Sequence, residues 1–353
     1  MFVILIKPTN ICLLINFNKD KIMKGKKLFL YSLTSLAVIA SHAVSAEEFA
    51  SAPSLEGGWS GMIGGMWFVP SNDNTTYASS TSRSLNSSSE NTQYFNTDGE
   101  YKLGWQAAMG YVFDNTANGI ELSFRDYSSH SDSSTDVFDA DFFQEQFDSQ
   151  IASSNQGTKF QDWDLMVSQF LDIGTHVQMR FLGGISYLAK LEQNTTTSYD
   201  FLSHDEGFSD HDIYTNESRS HFSGLGPRVG ADARYDFGDG FGVVGGFSVA
   251  YFLGELENNF TETYTDPDFD GYEFSDNSNI DNHAVTNLRG NLGVDYVYYF
   301  ENQDLPTLGL ELGYEVDTYL DGIGDFNFAE STGIITASDV TFSGPYLNIK
   351  GVF

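Results

Sequence analysis

The chain has 353 residues, 41% of them hydrophobic and 15% aromatic, and a formal charge of −32. Such acidity excludes a nucleic-acid partner, whose phosphates demand a basic surface, while the aromatic content excludes an acidic disordered chain. The single cysteine, Cys12, precedes the expected mature sequence, so disulfides, thiol chemistry and thiolate metal sites are excluded too.

In chain order, residues 1–22 read as an upstream extension. Met23 opens a basic stretch (Lys24, Lys26, Lys27), which is followed by an apolar run from Leu28 to Ala40 and the small residues Val44, Ser45 and Ala46. This pattern predicts a Sec-type signal peptide, Met23–Ala46, removed after Ala46. Six of the 17 basic residues and one of the 49 acidic ones precede residue 47, leaving 11 against 48 and a charge near −37. Residues 47–57 are expected to form a short periplasmic lead. No later segment offers the roughly 20 apolar residues of a membrane helix.

From residue 58 onward, apolar side chains recur at every second position, which places one set on each face of a strand. Between Tyr101 and Phe113, for example, Tyr101, Leu103, Trp105, Met109 and Tyr111 oppose Lys102, Gly104, Gln106 and Gly110. Strands are predicted at about 58–70, 101–113, 119–127, 160–171, 177–191, 221–237, 241–254, 284–300, 307–319 and 340–353. Turns near Asp114–Gly119, Asp172–His176, Asp236–Gly240 and Glu301–Pro306 are short and rich in Gly, Asn and Asp. The connections at about 71–99, 128–158, 193–220, 257–283 and 320–339 are long, acidic and rich in Ser, Thr and Asn. Strict alternation of short and long connections predicts an all-β fold: one antiparallel up-and-down transmembrane barrel over residues 58–353, with both termini periplasmic. Ten strands are expected; long loops that hide hairpins leave the range at 8–16.

The aromatic and charged residues support that barrel. Trp59 and Trp67 share a face eight residues apart, and Tyr235, Phe237, Tyr298 and Phe300 crowd the short-turn ends, as membrane-interface girdles require. The alternation sends Lys102, Arg125, Arg180, Lys190, Arg228, Arg234, Arg289 and Lys350 away from lipid, where a cation costs about 2–4 kcal/mol at the midplane. With Asp232, Asp295, Glu311 and Glu315 they are the candidate pore lining; Glu100, Glu121 and Asp317 lie within their reach. Phe353 ends an alternating terminal strand (Leu347, Ile349, Gly351), the signal that barrel-assembly machinery reads.

The segment Phe222-Ser223-Gly224-Leu225-Gly226-Pro227-Arg228-Val229-Gly230, followed by Tyr235-Asp236-Phe237-Gly238 and a glycine-rich strand, resembles the Legionella major outer membrane protein family. Gly183-Gly184-Ile185-Ser186-Tyr187-Leu188-Ala189 is similar to that family's Gly-Leu-Arg-Tyr-Ala strand. Here Ile185 and Ser186 replace its Leu-Arg pair, so a lumen arginine is missing at 186. The resemblance covers residues 100–350 loosely and implies an outer-membrane barrel, usually described as pore-forming, with no catalytic residues.

Three further clusters have spacings that carry chemistry. Asp266, Asp268 and Asp270, followed by Gly271, have the spacing of a calcium loop but put Asn277 where the closing Glu belongs. His204, Asp205, Asp210, His211 and Asp212, with His283 elsewhere, could activate water at the outer rim, as in proteases of the omptin class. Asp136–Asp148 mixes acids with Phe138, Phe142, Phe143 and Phe147, as a rim-packed or ligand-gripping loop would.

The expected function is therefore a porin-like channel for small, preferentially cationic solutes. The alternatives are a non-conducting barrel that acts as an adhesin or ligand-binding surface through its acidic loops, and an omptin-like rim protease. No catalytic residue and no cofactor are expected beyond Ca2+ or Mg2+ bound weakly at the acidic loops. The expected partners are outer-membrane lipid, lipopolysaccharide and the assembly machinery; a homo-oligomer, if formed, would not be disulfide-linked.

Overall fold

Side chains that alternate across a pleated strand give a sheet two unlike faces, and closing the sheet into a ring turns those faces into a lumen and an outer wall. The computed structural model describes residues 50–51, 57–72, 76–83, 90–97, 99–136, 140–142, 145–147, 149–205, 208–266, 271–298, 307–326 and 335–352. Its strands are β1 (Ala50–Ser51), β2 (Gly58–Asn72), β3 (Thr76–Arg83), β4 (Glu90–Asn96), β5 (Lys102–Val112), β6 (Asn118–Asp136), β7 (Ala140–Phe142), β8 (Glu145–Phe147), β9 (Ser149–Ile173), β10 (Val177–Asp205), β11 (Phe208–Gly238), β12 (Phe241–Thr265), β13 (Tyr272–Tyr298), β14 (Thr307–Phe326) and β15 (Ile335–Val352). Ten of them form an antiparallel ring in the order β2-β5-β6-β9-β10-β11-β12-β13-β14-β15, which closes where β15 pairs with β2 (Ile349↔Ile63). The predicted ten-strand barrel is therefore observed. Strands β3 and β4, and β7 and β8, form small separate hairpins within two of the predicted loops. The lead adds β1 to β9, with Ala50 opposite Ile173.

The strands overrun their predicted ends, always on the same side. β11 has 31 residues and β10 has 29, about three times the 9–11 that a tilted strand needs to cross a bilayer. The segments read as loops at 128–158, 193–220 and 257–283 are largely continuations of β6 with β9, β10 with β11, and β12 with β13. The reason is physical. The apolar-out alternation that marks a strand operates only where one face meets lipid; beyond it the ladder hydrogen bonds and the Thr, Tyr and Ser side chains sustain the sheet while both faces turn polar.

At the other end the turns are tight. Gly238, Asp239 and Gly240 all take positive φ (94°, 52° and 84°) between β11 and β12, which is why two glycines flank this turn. Asp236 Oδ1 accepts the Gly238 amide at 2.8 Å, and the Asp236 amide donates to the His176 carbonyl at 2.7 Å, tying adjacent turns together.

The outer wall carries a belt of exposed Ile, Leu, Val, Met and Phe side chains, including Ile63, Leu165, Phe181, Phe247, Leu292 and Ile349. Aromatic pairs border it. Trp59 with Tyr111 (5.1 Å between rings), Tyr235 with Phe237 (5.0 Å) and Phe241 with Tyr296 (4.7 Å) lie at the short-turn edge. Trp105, Phe124 and Trp163 stack in series at the other edge, 4.8 and 4.3 Å apart. An apolar band between two aromatic girdles is the outer surface of a membrane barrel.

Candidate functional site

The inward-facing positions of the ten strands form three tiers. Nearest the short turns, Arg180 donates to Glu121 (2.9 Å) and Asp232 (2.6 Å), Arg234 Nε to Asp295 (2.7 Å), and Lys350 to Glu311. Apart from the buried Glu311 these groups are partly exposed, and they border an open cavity of about 600 Å³.

The middle tier is more deeply buried and borders a cavity of about 170 Å³ lined by Arg125, Asp164, Arg228, Arg289 and Glu315. Arg125 reaches Asp317 (2.6 Å) and Glu315; Arg228 reaches Asp162 (3.1 Å) and Asp164 (2.9 Å); Arg289 reaches Asp162 (2.5 Å), Asp164 (3.3 Å) and Asp317 (3.3 Å). Asn287 bridges Arg228 (2.9 Å) to Asp317 (2.5 Å). Ser186, which stands where the resembled family carries arginine, is fully buried; it donates to Asp162 at 3.1 Å and accepts from Arg228. Its small side chain leaves the centre of the lumen to the guanidinium groups of Arg228 and Arg289. Three cations facing four carboxylates join strands β6, β9, β11, β13 and β14 across the barrel, and shared charge-assisted hydrogen bonds hold such a cluster out of water.

The third tier, toward the long hairpins, is apolar. Phe68, Tyr127, Phe160, Leu188, Leu191, Phe222, Phe252, Leu256, Tyr319 and Phe342 are each under 2% exposed and belong to one packed cluster inside the ring. Phe160 meets Phe342 at 4.8 Å and Tyr127 at 5.6 Å, and Tyr127 meets Phe342 at 5.4 Å. The Tyr127 hydroxyl donates to the Phe68 carbonyl at 2.8 Å. The two inner tiers are coupled: the Arg125 guanidinium lies 5.3 Å from the Phe160 ring centre and that of Arg228 lies 5.9 Å from Phe252. Ten strands enclose little more space than these side chains occupy.

The predicted lining residues divide accordingly. Arg125, Arg228, Arg289 and Glu315 are in the middle tier; Arg180, Asp232, Arg234, Asp295 and Glu311 are in the lower one. Lys102 faces inward opposite Phe68, at the rim, with Glu100 at 2.6 Å. Lys190 does not face the lumen. A bulge between Leu188 and Leu191 shifts the parity, so Leu191 pairs with Phe160 and turns inward, while Lys190 pairs with Gln161 on the outer wall. Sequence reasoning missed Asp162 and Asp164, and it missed the aromatic tier, although Tyr127 and Tyr319 each stand two residues from Arg125 and Asp317 on the same parity.

Of the rim cluster, His283 stands apart from the rest. His204, Asp205, Asp210 and His211 pair across the tip of the β10–β11 hairpin (His204↔Ser209, Leu202↔His211), and their side chains lie outside the described residues. His283 lies opposite Gly254 and holds the Asp321 carbonyl at 2.7 Å, about 50 Å along the strands from that tip at ~3.3 Å per residue. Asp268, Asp270 and Phe353 fall outside the described residues, as do the side chains of Asp136–Asp148; among the described residues no group of three His or acidic side chains converges as a metal site. The inner face of the outer hairpins does carry a tyrosine–acid cluster. Tyr272 donates to Glu262 at 2.7 Å and stacks on Tyr264 at 5.6 Å, and burial together with the Glu262 carboxylate pushes the Tyr272 phenol up to about 12.

The family model for the Legionella pneumophila major outer membrane protein precursor matches residues 51–353. A search of curated proteins gave no match. Among solved structures, the chain is similar to the outer membrane protease OmpT from Escherichia coli, with 12% identity, a TM-score of 0.42, and 86% of this chain and 99% of that chain covered. It is also similar to the Pseudomonas putida toluene transporter TodX (10%, 0.28, 87% and 90%) and to a Pseudomonas aeruginosa FadL homologue (8%, 0.26, 84% and 90%).

Proposed function

The chain belongs to the Legionella major outer membrane protein family and is an outer-membrane β-barrel, and from that premise we propose that it is a closed barrel that presents its long hairpins as a ligand-binding surface. The observation that carries this reading is the aromatic tier, a layer of ten side chains under 2% exposed that fills the lumen above the ionic tiers. A solute would have to displace side chains packed at van der Waals contact and part an ion-paired cluster to pass.

The hairpins beyond the membrane offer carboxylates and tyrosines at close quarters, as in Glu262 with Tyr264 and Tyr272. Acidic groups beside aromatic faces favour cationic ligands, by direct pairing and by cation–π attraction. The test is paired. Vesicles carrying the refolded protein should not swell in small sugars, and the same protein should retain an oligolysine peptide at low salt and release it near 0.5 M. Swelling comparable to that given by an open porin contradicts the closed barrel.

The channel reading keeps one supporting observation. The cavity of about 600 Å³ at the periplasmic end shares Glu121, Arg180 and Asp232 with a second of about 170 Å³ that reaches Arg125, Arg228 and Arg289 in the middle tier, as the lower half of a gated path would. Glu315→Gln, which loosens Arg125, should induce swelling only if the middle tier is a gate.

A further inference from the structure

Of the 11 cations after residue 46, seven face the lumen and Arg83 lies in the β3–β4 hairpin. The remaining three, Lys159, Lys190 and Arg219, lie on the outer wall of three adjacent strands. Register places them together: Lys190 is opposite Gln161, Lys159 opposite Glu192, and Arg219 opposite Asn194. A protein this acidic has concentrated its outward positive charge in one place.

That place is at the edge of the lipid band. Trp163 and Tyr187, exposed in the outer aromatic girdle, precede the patch by a few residues on the same two strands: Lys159 is four residues beyond Trp163, and Lys190 three beyond Tyr187. At ~3.3 Å per residue and a tilt near 40°, the cations stand roughly 10 Å above the girdle, the level of headgroups.

The patch is also built. Glu192 is 3% exposed on the wall and accepts from Lys190 (3.0 Å), Arg219 (2.9 Å) and Asn194 (3.0 Å), with His221 at 4.0 Å. One buried carboxylate thus fixes two cationic heads that stay 37% and 54% exposed, with donors left over. Lys159 makes no ion pair among the described residues. Asp126, beside Gln161, and Glu257, opposite His221, bound the patch on either side. The bulge at Leu188–Leu191 is the device that turns Lys190 out to join it.

We propose that Lys159, Lys190 and Arg219 form a binding site for the phosphates of a lipopolysaccharide headgroup in the outer leaflet. The charge is complementary, and the headgroup is the anionic group that lies at this height. It also joins one strip of an otherwise repulsive acidic wall to the surrounding leaflet.

The test uses the full refolded chain in detergent, titrated with purified lipopolysaccharide, with the same material after chemical dephosphorylation, and with inorganic phosphate. The K159Q/K190Q/R219Q protein should bind about a hundredfold more weakly, at roughly fivefold per surface cation. Dephosphorylated lipid should bind the wild type as weakly as that variant binds the intact lipid. K159Q alone removes no internal ion pair, so it should fold and lose about fivefold even if the triple variant does not fold. Equal binding of intact and dephosphorylated lipid, unchanged affinity in K159Q, or saturation by inorganic phosphate at the lipid's concentration overturns the proposal.

Discussion

The ionic middle tier and the aromatic tier lie next to each other in one lumen, yet they fill it by opposite physics. The middle tier is held by partners: Arg228 and Arg289 neutralise Asp162 and Asp164, and removing any member strands a charge in a buried site. The aromatic tier is held by shape and contact area, with Phe160, Tyr127 and Phe342 ring against ring. The difference teaches that a polar lumen lining does not by itself imply an open path, because ten strands bring Arg125, Arg228 and Arg289 within about 3.3 Å of their carboxylates.

Substitutions should separate the tiers, and the largest effect belongs to the ionic one. Arg289→Leu leaves three carboxylates short of a partner and should cost about 3–5 kcal/mol in urea unfolding from lipid vesicles. A loss under 1 kcal/mol would mean that water reaches the tier. Phe160→Ala should cost about 3 kcal/mol by leaving a cavity, with no change in the salt dependence of unfolding. If the loss instead varied with salt, the two tiers would be one electrostatic unit. Tyr319→Phe sharpens the contrast: the buried hydroxyl has no hydrogen-bond partner among the described residues, so its removal should shift stability by no more than about 1 kcal/mol, toward the stable side. A clear destabilisation would reveal a polar role inside the apolar tier.

The smallest effect lies outside both tiers. Burial raises the Glu192 pKa, but hydrogen bonds from Lys190, Arg219 and Asn194 outweigh it and hold the group at about 2, below its ordinary 4.5. A depressed carboxylate contributes its stability above the unfolded value and loses it as pH falls from about 4.5 toward 2. Glu192→Gln should therefore differ from wild type above that window and converge with it below. Parallel curves throughout would show that the carboxylate is not held by its neighbours.

Much of the fold was legible because lipid enforces a strict rule. Leu103, Trp105 and Met109 against Gly104, Gln106 and Gly110 can be read from the chain alone, and so can the inward face of Arg125, Arg228 and Arg289. Strand ends were not legible, since beyond the girdle neither face of β10 or β11 needs to be apolar. Lys190 was misplaced because a bulge leaves no mark in composition, yet it reverses every later side chain on that strand. The aromatic tier was overlooked for a related reason: once lipid ends, an apolar residue such as Phe222 or Phe252 turns inward, and the same alternation acquires the opposite meaning.

The most direct test of a closed lumen is single-channel recording of the refolded protein in a planar bilayer under asymmetric salt. The two tiers predict a heat-modifiable protein that inserts and gives no conductance steps. Discrete steps with a cation-biased reversal potential would contradict them and restore the pore.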